Sequence, residues 1–297
     1  MNPLWLIIHA VFGTVSWILY AVVTKYIYAH RKQFNAAFLR LWNTFTIINL
    51  LQFISMKLYY QIPLHIPSSS SIAPYIESFP YQQPMTILYF LAYYFIYCQR
   101  ICVILIISIS FRVIVFPFSS SPIWERQYIV TTIIIFLTPI PFIYNVLFME
   151  PSYNYSPLMD GYILYPALDK HPQVAVRNLL QSNFFEISTA VISGVLKLST
   201  LFCLNSSSMR KRDDRNLYVV TTVLFAASLL KFACAILLVF KLDELILQIS
   251  IYLYPITADI VALSCPYSLL YINKRMRKSI FNFKILRKSE DTNGTSV

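Results

Sequence analysis

Seven apolar stretches divide the chain: Leu4 to Tyr28, Ala37 to Tyr60, Met85 to Phe111, Tyr128 to Met149, Phe184 to Asn205, Leu217 to Phe240 and Leu245 to Ile272. A bilayer core is about 30 Å thick and a helix rises about 1.5 Å per residue, so about 20 apolar residues suffice to cross it. Each stretch meets that length, and the pattern predicts an all-α bundle of seven transmembrane helices forming one membrane domain over 1–288. A basic juxtamembrane segment, 273–288, closes that domain, and the small and acidic residues of 289–297 predict a short disordered tail. The connectors are short except Gln61 to Pro84 and Glu150 to Ser182, which are rich in Pro, Ser and Tyr. These two read either as plain solvated loops or as surface that partly closes the bundle entrance.

Charge adds an orientation. With the N-terminus outside, the inward connectors and the tail carry sixteen Lys and Arg, among them Arg31, Lys32, Arg40, Arg112, Arg126, Arg210, Lys211, Arg212 and Arg215. The outward connectors carry three, Lys170, Arg177 and Lys241. Cytoplasmic loops hold the basic excess in membrane proteins, so the C-terminus is expected in the cytoplasm. Only Met1, Asn2 and Pro3 precede the first stretch, whose basic flank follows it, so that stretch is expected to be an uncleaved anchor.

Composition agrees: 57% of residues are hydrophobic and 12% charged, about half the charged fraction of a soluble domain. The net charge of +11 sits on the inward side, which points to anionic lipid and away from nucleic acid. All five cysteines lie within spans, so no disulfide between outer loops is expected. Asn154-Tyr155-Ser156 is a glycosylation sequon on the long second outer loop.

Charges inside spans are costly and call for a partner or a role. Lys25, Lys57, Arg112 and Lys241 lie near span ends and are read as snorkelling to the interface. Arg100, Lys197, Lys231 and Asp259 are deeper, and Asp259 is the single acid counted at that depth. An intramembrane ion pair of Asp259 with Arg100 is therefore expected, with Lys231 as the second choice, serving either as a structural lock or in ligand binding. Glu186, Asn49 and Gln99 read as scattered polar groups, with Glu186 near the outer end of the fifth span. A proton relay needs a chain of acids or histidines, which leaves a transport path little chemistry. No metalloprotease, serine-hydrolase or P-loop motif occurs, and His9, His30, His65 and His171 lack metal-ligand spacing. The chain therefore reads as no enzyme, with no metal and no cofactor. Tyr89, Phe90, Tyr93, Tyr94, Phe95 and Tyr97 line the outer half of the third span, where most rings must serve packing. Tyr93, Tyr94, Tyr97, Glu186 and Lys231 are the candidates to line a pocket for a small, largely apolar ligand.

The third span ends Ser108-Ile109-Ser110-Phe111-Arg112, followed by Phe116-Pro117 and Pro122-Ile123-Trp124-Glu125-Arg126. The second span opens Phe34-Asn35-Ala36-Ala37-Phe38-Leu39-Arg40, and the last ends Cys265-Pro266-Tyr267-Ser268-Leu269-Leu270-Tyr271 before a basic run. Together these resemble nematode serpentine chemoreceptors of the gamma class or a sister class, across the whole layout. Phe111 stands where that family has Asn beside the Arg. The resemblance implies a G-protein-coupled chemosensory receptor for an environmental or secreted small molecule, signalling through a heterotrimeric G protein. It implies a multi-pass protein of the plasma membrane, in the sensory cilium of chemosensory neurons. Arg112, Arg126, Arg210 and Arg212 would then form the coupling surface or a conformational lock. A small-molecule transporter or channel is the alternative.

Overall fold

The computed structural model describes residues 4–31, 36–77, 82–115, 128–149, 151–157, 160–166, 172–206, 212–240 and 244–281. Seven long helices appear in chain order: α1 (Leu4–Ala29), α2 (Ala36–Met56), α3 (Gln82–Val115), α4 (Tyr128–Leu137), α5 (Pro172–Ser206), α6 (Arg212–Phe240) and α7 (Glu244–Ile272). A short α8 (Lys274–Phe281) follows. Among the described residues, five apolar runs are long enough to cross a bilayer by length and composition: His9–Ala29, Pro84–Arg112, Val130–Phe148, Leu180–Leu204 and Leu253–Tyr271. α6 has a shorter run, Tyr218–Cys234. α2 is more polar because it carries Asn49 and Gln52, yet both are buried among neighbouring helices, so its polar groups face protein and not lipid. Phe184, Leu198 and Phe202 on α5 point outward at about 70% exposure or more, which marks its lipid face.

Three departures from regular helix are set by the local sequence. α4 stops before Pro139, and the chain continues as one turn, Ile140–Ile143, and a 3-10 segment, Tyr144–Phe148. Pro139 and Pro141 have no N–H to donate to the ladder, which accounts for the break within the fourth stretch. α2 loosens into a π-helical segment, Lys57–Gln61, before a last turn at Ile62–Leu64. Pro255 and Pro266, in contrast, are absorbed within α7.

The long connector after the fourth span is not a plain loop. It folds into an antiparallel hairpin, β1 (Pro151–Ser156) with β2 (Gly161–Pro166), in the register Tyr153 opposite Leu164. Asp160 takes the left-handed conformation at φ 47° to close the turn, and its carboxylate accepts from the Tyr155 hydroxyl at 2.8 Å. Tyr162, Ile163 and Leu164 are buried, so the hairpin packs down on the bundle end. It approaches so closely that a β-carbon at Gly161 would lie 1.9 Å from the Leu64 carbonyl oxygen. Gly161→Ala must therefore push the hairpin away, at a cost of about 1–3 kcal/mol by analogy with overpacked cores. Amide exchange at Tyr162 to Leu164 should quicken about tenfold or more while α3 and α7 exchange is unchanged. Unchanged exchange at these strand amides would refute the contact.

Two apolar clusters fill the interior. One joins Tyr20, Trp42, Phe45, Ile107, Leu224, Leu263 and Met276, which spans α1, α2, α3, α6, α7 and α8. The other, at the hairpin end, gathers Met56, Tyr59, Tyr89, Tyr97, Val146, Leu164 and Ala258. α8 is amphipathic: Met276 is fully buried while Lys274, Arg275 and Lys278 are exposed, and the Asn273 side chain caps it by accepting from the Met276 N–H at 3.0 Å.

Candidate functional site

α3 enters from the hairpin end with aromatic residues on successive turns, and this spacing brings Tyr89 and Tyr93 together, one hydroxyl donating to the other at 3.3 Å. Tyr59 and Tyr60, turned inward from the π segment of α2, extend the group: Tyr59 meets the Tyr89 ring edge-on at 5.8 Å, and Tyr60 meets Tyr254 of α7 at 6.3 Å. One helical turn below Tyr93, the Tyr97 ring lies 4.5 Å from Phe185 of α5 and 6.3 Å from Phe142. The hairpin closes over this group, with the Tyr153 hydroxyl donating to the Tyr59 carbonyl at 3.2 Å. Burial pushes the Tyr153 phenol up to about 12, so it remains a proton donor there at neutral pH. His65, beside the same rim, is held below its usual range by burial.

Beneath the aromatic shell is a charged layer. Arg100 Nη2 reaches both oxygens of Glu186 at 3.2 and 3.1 Å, and Nη1 reaches the Ser228 carbonyl at 3.5 Å, so one guanidinium links α3, α5 and α6. Both charged side chains are buried, which strengthens the pair and makes either partner costly to leave alone. Lys231 of α6 is fully buried, its ammonium 5.7 Å from the centre of the Tyr254 ring.

The expected pairing of Arg100 with Asp259 is not formed. Glu186 takes the guanidinium instead: the apolar run of α5 starts at Leu180 and not at Phe184, so Glu186 lies about 9 Å inside it and not at its end. A span drawn from Phe184 places Glu186 near its outer end, outside the layer of deep charges. Asp259 instead faces α1 and α2: its Oδ2 meets His9 Nδ1 at 2.9 Å, Lys57 Nζ at 3.0 Å and Gln61 Nε2 at 3.3 Å. Lys57, expected to snorkel, turns inward because the π segment rotates it and Gln61 onto the α7 side, and the two also bond each other.

Nor are Asn49 and Gln99 scattered. Gln99 donates to Asn49 Oδ1 at 2.7 Å, Asn49 donates to the Tyr20 hydroxyl at 3.0 Å, and Tyr20 donates to the Ala262 carbonyl at 2.6 Å. This chain ties α3, α2, α1 and α7. Deep in α5, Lys197 is met by the Tyr218 carbonyl at 3.0 Å, Thr222 Oγ1 at 3.2 Å and Thr221 Oγ1, all on α6.

Of the pocket candidates, then, Tyr93, Tyr97, Glu186 and Lys231 gather in one region. Tyr94 is turned away, its hydroxyl donating to the Phe136 carbonyl of α4 at 2.9 Å. Arg112 lies in the last turn of α3, at the opposite end. Arg126 and Arg210 fall outside the described residues, and Arg212 opens α6 without a described side chain. Asn154 is exposed on β1. The sequence reading missed Tyr59, Tyr60, Phe142, Phe185 and Tyr254. Tyr59-Tyr60 and Tyr254 had a signal, tyrosines at span ends, but such residues read equally well as interfacial anchors. No grouping of three or more His, Cys, Asp or Glu suited to a metal occurs among the described residues.

Comparison with known proteins bears on what this arrangement serves. A family model described as Srg family chemoreceptor matches residues 6–280. A Caenorhabditis elegans protein, serpentine receptor class gamma-31, is 25% identical over 303 residues, covering 94% of this chain and 92% of that protein.

Proposed function

Because the chain belongs to the Srg chemoreceptor family, we propose that this serpentine receptor binds an environmental or secreted small molecule beneath its hairpin and signals through a heterotrimeric G protein. The observation that carries the reading is the ring of Tyr59, Tyr60, Tyr89, Tyr93 and Tyr254 above the Arg100–Glu186 pair. A largely apolar shell with a few oriented polar groups at its base is what a small-ligand pocket requires. The hairpin end faces outside in this reading, and the sixteen-to-three distribution of basic residues supports that sidedness. Asn154 on the hairpin is then available to glycosylation in the secretory pathway. At the other end, Arg112 and the Arg126 and Arg210 to Arg215 segments form the coupling surface, and α8 lies on the anionic inner leaflet. The protein is a multi-pass membrane protein, and its proposed site is the plasma membrane of the sensory cilium in chemosensory neurons.

A ligand entering beneath the hairpin shifts the bundle between two packings only if it contacts them differently. Arg100 joins three helices at the base of the pocket, so a contact there is transmitted to α3, α5 and α6 together. The test is expression in reporter cells carrying a promiscuous G protein, screened with volatile and water-soluble attractants. Second-messenger responses are expected, and Tyr97→Ala should weaken them about tenfold or more at unchanged surface display, since a buried aromatic anchor typically contributes over 1 kcal/mol. Substrate uptake or ion current without a second-messenger change would overturn the reading in favour of a transporter or channel.

A further inference from the structure

Among the described residues, three lysines lie inside the bundle, and two have polar partners. Lys57 meets Asp259, and Lys197 meets a carbonyl, two threonine hydroxyls and the Tyr218 ring at 4.4 Å. Lys231 is the most deeply buried of the three, with no exposure, and among the described residues its ammonium has no hydrogen-bond acceptor. Its neighbouring Tyr254 ring, at 5.7 Å, gives only a cation–π contact near the limit of its range. Both oxygens of Glu186 are engaged by Arg100, whose Nε is also without an acceptor. The layer therefore holds two basic side chains against one carboxylate.

Hydroxyls without partners lie on the same helix faces. Ser228 is one turn before Lys231 on α6, Ser250 one turn before Tyr254 on α7, and Ser193 two turns beyond Glu186 on α5. All three are buried and none has a hydrogen-bond partner among the described residues. A buried ammonium without an acceptor is strongly disfavoured, and buried hydroxyls without partners add to that cost. Each of these groups can donate, and with Lys231 protonated the layer carries one excess positive charge, which an anionic ligand would balance.

We infer that Lys231 anchors the carboxylate of the ligand, so that the receptor takes a small monoanionic acid with an apolar body. The inference rests on the receptor reading above and names the ligand class of that same site. The acid group sits on the Lys231 ammonium, with the Ser228 hydroxyl one turn away on the same helix face, and the apolar body lies among the tyrosines toward the hairpin. A dianion would overshoot the single excess charge, and a neutral ligand could accept a hydrogen bond from the ammonium but would leave that charge unbalanced.

The test uses full-length receptor in nanodiscs, with melting temperature followed against straight-chain carboxylates from butanoate to decanoate, their methyl esters and the matching alcohols. At least one carboxylate is expected to stabilise the protein at a concentration about tenfold or more below that of its ester, the effect of a charge-assisted hydrogen bond. Lys231→Met should remove that preference and Lys231→Arg should keep it. If the Met variant does not fold, the wild-type and Arg comparisons still decide. Equal potency of every acid and its ester, or a preference that survives in a folded Lys231→Met protein, would overturn the inference. Carboxylate binding without any second-messenger response would leave the anion site standing and overturn G-protein coupling. Responses to alcohols and esters alone would do the opposite.

Discussion

Glu186→Leu is expected to remove most of the receptor from the cell surface and to abolish signalling by what remains. The substitution leaves Arg100 and Lys231 in one buried layer with no described carboxylate between them. Breaking a buried ion pair by removing one partner costs about 3–5 kcal/mol, and here the two remaining charges also repel. Arg100→Leu should be milder, because Lys231 interacts electrostatically with Glu186 and can take over as its counter-ion. The double variant Arg100→Leu with Glu186→Leu should recover much of the surface display, since no uncompensated pair member remains. It should still fail to signal, having lost the link between α3, α5 and α6. Surface labelling with an epitope tag, read beside second-messenger output, checks the order. Equal display of Glu186→Leu and wild type would rule out the pair as a structural element.

Asp259→Ala is the second large effect. His9, Lys57 and Gln61 converge on one carboxylate oxygen, so its loss frees groups on two helices at once. Lys57 would have to turn outward, and the π segment that aims it inward would lose its reason to persist. A loss of about 3 kcal/mol is expected for an uncompensated buried charge, seen as a lower melting temperature of the purified receptor. Lys57→Met alone should cost less, because His9 and Gln61 still serve the carboxylate, and Asp259→Ala with Lys57→Met should regain part of the loss. A double variant no more stable than Asp259→Ala would show that the lysine contributes nothing once the acid is gone.

Residues at the site show what could be read in advance and what could not. Seven helices follow from runs of apolar residues, because only length and side-chain transfer energy enter. The break at Pro139 follows from proline chemistry, although the 3-10 continuation to Phe148 does not. Arg100, Lys231 and Asp259 are legible as deep charges, but Glu186 is not, because a span drawn from Phe184 sets it at the end, while the apolar run of α5 begins at Leu180 and the helix at Pro172. The hairpin was hidden in a loop whose alternation is too short to stand out from a Pro- and Tyr-rich connector. Its position is set by the contact of Gly161 with the Leu64 backbone, which no local pattern encodes.

By itself, the sequence determined the number of helices, the concentration of basic residues in alternate connectors, the absence of cysteines from the long connectors, and the resemblance that the family match upholds. Only the tertiary structure decided which charges meet: Arg100 with Glu186, Asp259 with Lys57 and His9, Tyr20 with Asn49, and Lys231 with no acceptor among the described residues. The reason is geometric. Each residue turns a helix by about 100° and lifts it by about 1.5 Å, so partners depend on the rotation and height of whole helices, which packing sets and one-dimensional hydropathy does not record.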